Sequence, residues 1–375
     1  MHYYLCLTSV CNLNCRYCQG KSVEDFMSYD ESLNYEFDIP NVSKIKIDDL
    51  INFSKDDDNF VLTFYGGEPL LEINKIKEII NRVPAKDFMM QTNAQDLNKL
   101  SINYLNKIST ILVSIDGTKK HTNFQRGNKV YENIISNVKK VSKDGYKGEI
   151  IARMTVDEKS NIYKNVTHLY DNLDYSFSSI HWQIDAQFFQ EDYKARNFKY
   201  WLDNDYKPNL KKLIFWWLEI IKNTKKVPRI YPFVGIVYSL LTQEKSLMRC
   251  GAGHSCLGIQ TNGKIVACPI SAGYKPLYMG DVYNSTLLDV KKNKMFVNKQ
   301  CLKCSILDIC GGRCLYANKT QLWGEKGYNE VCESIFYLVD NLKSIISEID
   351  KMIQKKEIEI EDFNYPRYNG CEIIP

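Results

Sequence analysis

Apolar positions along this chain change period several times. Near 3–8, 60–65, 87–92, 109–115, 148–156 and 179–188, short apolar and β-branched runs bounded by turn formers predict six strands. Near 46–55, 71–83, 97–107, 130–144 and 160–173, apolar residues recur every three or four positions and predict helices. Alternation of this kind signals parallel βα units, because a parallel neighbour needs a crossover long enough to hold a helix. The expected fold class is α/β, an incomplete barrel of six parallel strands with outer helices. Residues 193–225 read as bridging helices and 335–354 as a closing helix, while 20–45 lack periodicity and read as a long loop.

Strand parity locates a candidate site. In an α/β barrel, outward side chains meet helices and inward ones surround whatever the lumen holds. Along 180–188, Trp182, Ile184, Ala186 and Phe188 form an apolar face, and His181, Gln183, Asp185 and Gln187 a polar one. The same alternation turns Asn93, Ser114, Asp116, Arg153 and Thr155 inward. Asp185, at the C-terminal end of the sixth strand where barrel active sites gather, is the candidate proton acceptor. Its alternative is an internal ion pair with Arg153.

Composition narrows the partner. With 49 basic and 45 acidic residues the formal charge is only +4, so no strong field draws nucleic acid or an anionic membrane. The aromatic-rich stretch 213–221 is far shorter than the roughly 20 residues a spanning helix needs, and it reads as a packing helix. No export signal is legible near the N-terminus, which predicts a cytoplasmic protein.

The 13 cysteines carry the chemistry. Cys11, Cys15 and Cys18 form C-x3-C-x2-C directly after the first predicted strand. Three such thiolates can hold three irons of a 4Fe–4S cube and leave the fourth iron open to a small molecule. Eight later cysteines, Cys250, Cys256, Cys268, Cys301, Cys304, Cys310, Cys314 and Cys332, make two sets of four, the number that closes a cube. Zinc held by four cysteines is the alternative for this later group. Cys6 and Cys371 stand apart as spare thiols.

With these motifs in order, the sequence resembles a radical S-adenosylmethionine (AdoMet) enzyme carrying a SPASM domain, the group that modifies peptides and proteins. The resemblance rests on C-N-L-N-C-R-Y-C with Tyr17 before its last cysteine, on Gly66-Gly67-Glu68-Pro69 after the second strand, and on Ser114-Ile115-Asp116-Gly117 followed by Phe124-Gln125-Arg126-Gly127. The later cysteines, with Gly263, fit the SPASM spacing, and Cys256 is a further ligand as in anaerobic sulfatase-maturing enzymes. By that resemblance Cys250, Cys256, Cys268 and Cys314 hold one auxiliary cluster, and Cys301, Cys304, Cys310 and Cys332 another, giving three 4Fe–4S clusters in all. It further implies that Tyr17 contacts adenine, that Gly66, Gly67 and Glu68 bind the methionine ammonium, and that Ser114 and Asp116 hold the ribose. Asn93 joins this cofactor-binding set, and Arg153 faces the methionine carboxylate.

The implied domains are a barrel over 1–190, a helical bridge over 191–249, a SPASM domain over 250–334, and a helix and tail over 335–375. The implied partners are a peptide or protein substrate and an electron donor such as flavodoxin or ferredoxin. The implied reaction is hydrogen abstraction from a side chain leading to an oxidative crosslink such as a thioether. Anaerobic sulfatase maturation is the alternative, and Pro269 weakens it by standing where those enzymes carry an acid. An iron–sulfur electron-transfer protein is a further alternative. It gives Gly66–Pro69 and the polar strand face no role. A separate leader-binding domain is not expected ahead of Cys11 or after Cys332.

Overall fold

A computed structural model describes residues 1–19, 34–188, 192–366, 370 and 374–375. Residues 20–33 of the predicted 20–45 loop, and Cys371, lie outside the described residues. Among the described residues there are ten strands: β1 (His2–Thr8), β2 (Val61–Gly66), β3 (Asp87–Thr92), β4 (Ile108–Ser114), β5 (Glu149–Val156), β6 (Ser179–Ile184), β7 (Arg229–Ile230), β8 (Cys256–Ile259), β9 (Lys264–Val266) and β10 (Tyr278–Asp281). Helices of eight residues or more are α1 (Ile47–Ser54), α2 (Ile73–Arg82), α3 (Lys119–Arg126), α4 (Val130–Lys143), α5 (Ile162–Tyr170), α6 (Lys207–Thr224), α7 (Tyr231–Thr242) and α8 (Gly324–Gln354).

The chain divides into two compact units, one of Met1–Ile115, Thr122–Ile150 and Gly251–Phe296, the other of Asp116–His121, Ile151–Cys250 and Val297–Pro375. In the first unit the strand order is β10-β9-β8-β1-β2-β3-β4, with β8, β1, β2, β3 and β4 parallel. β1 is buried at nearly every position, as a parallel strand covered on both faces should be. Pairing of His2 with Cys256 and of Leu5 with Ile259 carries the first cysteine-rich segment onto the edge of β1. β8, a strand of four residues, is too short to show a period-two pattern in the sequence.

The second unit builds on β5, β6 and β7, all parallel. Arg153 stands opposite His181, Met154 opposite Trp182, and Thr155 opposite Gln183. Registered parallel neighbours share a face, so polar faces polar and apolar faces apolar along this pair. Trp182 is fully buried and donates its indole N–H to Tyr206 Oη at 3.0 Å. On α6, Leu210, Leu213, Ile214, Trp217, Leu218 and Ile221 form one buried helical stripe, while Phe215 stays exposed. That confirms a packing helix, and among the described residues no helix is long and apolar enough to cross a membrane.

Three elements differ from expectation. The helix predicted over 97–107 is two short turns, Leu97–Lys99 and Ile102–Leu105, because Leu100 and Ser101 adopt extended backbone. The sixth strand stops at Ile184 rather than 188, and Gln187 at φ 65° is left-handed and cannot continue a pleat. The closing helix begins at Gly324, eleven residues ahead of the predicted start, and Tyr328 and Val331 carry its buried stripe ahead of Ile335.

Candidate active site

The Gly-Gly turn after β2 sets the geometry of the first unit. Gly67 N–H donates to Thr8 O at 2.7 Å, and Glu68 N–H to Val10 O at 3.0 Å. A Cβ on Gly66 would lie 2.2 Å from Thr8 O, and one on Gly67 2.3 Å from Val10 O and 2.4 Å from Ser9 O. Gly66 also has φ 138°, which side-chain-bearing residues rarely adopt. Only glycines let this turn press against the segment that enters Cys11.

Glu68 is fully buried, and three protein donors converge on it. Oε1 accepts from Leu70 N–H at 3.0 Å and from the Thr92 hydroxyl at 2.7 Å, and Oε2 accepts from Asn93 N–H at 2.7 Å. A carboxylate offers about four acceptor positions, so one remains for a cationic ligand. Burial pushes its pKa up to about 7, against the lowering effect of those hydrogen bonds. The Asn93 side chain donates to Cys11 Sγ at 3.6 Å and to Asn12 Oδ1 at 2.7 Å. One residue therefore touches both the buried carboxylate and the first thiol of the triplet. Thr92, which clamps Glu68, carries no sequence motif, and strand parity puts it on the face opposite Asn93.

The triplet loop is anchored from the Phe124–Gly127 motif. Arg16 donates its backbone N–H to Gln125 O at 2.9 Å and its Nε–H to Phe124 O at 2.9 Å, with its guanidinium 4.3 Å from the Phe124 ring. Arg126 lies 5.4 Å from the Tyr17 ring, close enough for cation–π attraction. The thiols are half-buried, and Cys11 Sγ accepts from Leu13 N–H at 3.4 Å. Such thiols suit an iron–sulfur cluster, whose sulfur ligands carry negative charge. Cys6, by contrast, is a thiol pushed up to about 12 by burial, and it donates to Thr8 O. Ser114, at the end of β4, is half-buried.

In the second unit the residues placed by parity are near one another, with different partners from those expected. Asp116 is fully buried, and its Oδ1 accepts from Thr155 N–H at 3.0 Å, so the expected ribose ligand braces β5. Arg153 contacts His181 Nδ1 and donates to Gln183 Oε1 at 3.2 Å, and it forms no ion pair with Asp185. Asp185 follows the end of β6 and pairs instead with Arg196, Nη1 to Oδ2 at 3.3 Å and Nη2 to its carbonyl O at 2.6 Å. Arg196 also holds Glu158 and Asp192, each at 2.8 Å. Arg196 lies beyond the strand, so strand parity could not bring it to Asp185. The Asp185 side chain is 16% exposed, and burial pushes its pKa up to about 7, with Arg196 lowering it and Asp192, Asp157 and Glu158 raising it.

A separate cavity in the second unit is lined by five cysteines, the predicted set Cys301, Cys304, Cys310 and Cys332 together with Cys314 of the other set. Among the described residues, no three His, Cys, Asp or Glu side chains gather as for a single metal ion. The thiols ring a shared space instead, a donor set that fits a multi-iron cluster. Of the other predicted set, Cys256 and Cys268 are buried in the first unit, and in the second Cys250 is half-buried and Cys314 buried.

Fold and thiol loop together define a class, an α/β radical AdoMet domain followed by a cysteine-rich region. Residues 5–162 match the family model described as the Radical SAM superfamily and form a domain of that family. The chain is 22% identical over 349 residues to the radical SAM cyclopropyl synthase TigE of Paramaledivibacter caminithermalis, across 84% of this chain and 67% of that protein. It is 27% identical over 155 residues to the 7-carboxy-7-deazaguanine synthase of Methanocaldococcus jannaschii, across 40% of this chain and 62% of that protein, so it spans under two thirds of that relative. Among solved structures, native anSMEcpe with bound AdoMet and Cp18Cys peptide matches with TM-score 0.72 at 16% identity, over 94% of this chain and 99% of that one. SuiB of Streptococcus suis bound to S-adenosylmethionine matches with TM-score 0.56 at 17% identity, over 86% and 75%. At such identities the likeness establishes the fold. Residues 5–162 thus carry a radical AdoMet domain, whose family implies one 4Fe–4S cluster and AdoMet.

Two outcomes follow. Gly67→Ala drives a methyl into Ser9 and Val10 and displaces the Cys11 loop, so the reconstituted variant should hold about four fewer irons and bind AdoMet at least about tenfold more weakly (roughly 1.4 kcal/mol), measured by iron assay and equilibrium dialysis. For Asp185, the folded pKa of about 7 lies above the ordinary 3.8. Its ionisation therefore disfavours folding increasingly as pH rises between those values, and no further above them. Denaturation of the cofactor-free chain should show Asp185→Asn gaining roughly 1–3 kcal/mol on the wild type between pH 4 and pH 8. A difference independent of pH would contradict this environment.

Proposed function

We propose that this enzyme abstracts hydrogen from a side chain of a peptide or protein and installs a post-translational modification, an oxidative crosslink such as a thioether. The observation that carries the reading is Asn93, which joins the buried Glu68 carboxylate to the Cys11 thiol. When bound, the cluster and AdoMet would supply the 5′-deoxyadenosyl radical that takes the hydrogen. In this reading Cys11, Cys15 and Cys18 hold the first cluster, and Gly66, Gly67 and Glu68 receive the methionine ammonium. Tyr17 would contact adenine, Ser114 and Asp116 would serve the ribose, and Arg153 would attract the carboxylate. Asp185, with a pKa near neutrality, accepts the substrate proton. The two later cysteine sets hold auxiliary clusters, which suit removal of an electron from the substrate.

The length of the match to TigE supports a second outcome of the same abstraction, ring closure within one residue. A crosslink and a ring each remove two hydrogens, so intact mass does not separate them. Tandem mass spectrometry does, because a crosslink suppresses backbone fragments between the joined residues.

Anaerobic reconstitution should give about twelve irons per chain, and replacing Cys11, Cys15 and Cys18 together by Ala should remove about a third of them and all 5′-deoxyadenosine release. Wild-type protein that releases none would be an electron carrier instead. With the peptide encoded beside its gene, Asp185→Asn should keep its iron and its 5′-deoxyadenosine release and lose most product. Full turnover removes Asp185 from the chemistry, and loss of AdoMet cleavage moves it to cofactor binding.

A further inference from the structure

Arg313 is the least compensated charge in the cysteine-lined cavity of the second unit. It is only 6% exposed, yet Nε and Nη1 have no hydrogen-bond partner, and Nη2 reaches only Ile184 O at 3.3 Å. A guanidinium carries five N–H donors and is always charged, so most of its donors are buried without an acceptor. Leaving a buried cation in that state is costly unless an anion belongs beside it. Among the residues lining the cavity none is an Asp or Glu, whereas five are cysteines, Cys301, Cys304, Cys310, Cys314 and Cys332.

The backbone around Arg313 is also shaped for an anion. Gly311, Gly312 and Arg313 have φ of 67°, 96° and 56°, three left-handed residues in succession. That conformation costs an arginine more than a glycine, and successive turned N–H groups form anion-binding concavities. The N–H groups of Gly312 and Arg313 act on the Cys310 sulfur. On the opposite thiol, Cys301 Sγ is 3.0 Å from Tyr328 Oη and 3.2 Å from Asn318 Nδ2, and Asn318 Nδ2 lies 2.8 Å from that hydroxyl. A cluster held by four thiolates is net negative and gains a further negative charge on reduction, so a cation and N–H donors around it favour the reduced form.

We propose that Arg313 is the counter-ion of the cluster held by Cys301, Cys304, Cys310 and Cys332, a positioning residue that raises that cluster's reduction potential. The inference rests on the auxiliary-cluster reading above and adds what tunes the cluster toward accepting an electron from the substrate side.

The test is an EPR-monitored redox titration of the anaerobically reconstituted enzyme with Arg313→Met and Arg313→Lys. Arg313→Met should retain wild-type iron and shift the reduction equilibrium of one cluster at least about tenfold toward the oxidised form, or 59 mV for one electron. The other clusters should stay in place, and Arg313→Lys should remain within about threefold of wild type. An unchanged equilibrium in the Met variant, or an equal shift of every cluster, overturns the proposal. If the Met variant does not load its iron and the Lys variant does, the charge itself is required and the proposal stands. If neither loads, Arg313 serves packing alone and the proposal fails. Cys304→Ala/Cys332→Ala separately tests the underlying reading, since a wild-type iron count in that variant would show that these thiols hold no cluster.

Discussion

The approach of the Gly66–Gly67 turn to residues 8–10 is the constraint on which the first unit's chemistry depends. Two backbone hydrogen bonds, Gly67 to Thr8 and Glu68 to Val10, lock the end of β2 onto the exit of β1. Both segments that carry chemistry leave from that junction, the thiol loop on one side and the Glu68 carboxylate on the other. A single methyl group at either glycine would meet carbonyl oxygen well inside contact distance. Because parallel β1 and β2 fix the register, the loop after one strand and the turn after the other meet at the same end of the sheet.

Burial of charge organises the rest. Glu68 and Asp185 are both pushed toward neutral pKa by loss of water, yet their surroundings differ. Glu68 is met by neutral N–H and O–H donors, which leave room for a cationic ligand. Asp185 is met by Arg196, which also holds Glu158 and Asp192, so three carboxylates share one guanidinium. Arg313 presents the converse case, a buried cation with thiols and no carboxylate among its cavity neighbours. Glu68 keeps an acceptor position and Arg313 keeps N–H donors without a protein partner, whereas Asp185 is met by Arg196.

Much of this was legible in the sequence. Strands 87–92, 109–115 and 148–156 were read to within about a residue, because a buried parallel strand must be apolar over its whole length. The cysteine triplet and Gly66–Pro69 were legible because iron and close backbone approach demand particular residue types at fixed spacing. Parity correctly placed Arg153 on the face of His181 and Gln183, since the side-chain period of a strand is two.

Parity could not supply the partner of Asp185. Asp185 lies one residue past Ile184, its N–H still donates to Val156 O, and its partner Arg196 comes from a later segment. Thr92 as a clamp for Glu68 and β8 as a neighbour of β1 were equally hidden, because each depends on which distant segment arrives. The sequence by itself determined most of the parallel strands and their helices, the cysteine triplet with Gly66–Pro69, and the class of chemistry, since periodicity and ligand spacing are local properties of the chain. Only the tertiary structure decided which charge meets which, because a buried ion's partner is chosen by whatever segment packs against it, and packing joins residues that sequence distance does not relate.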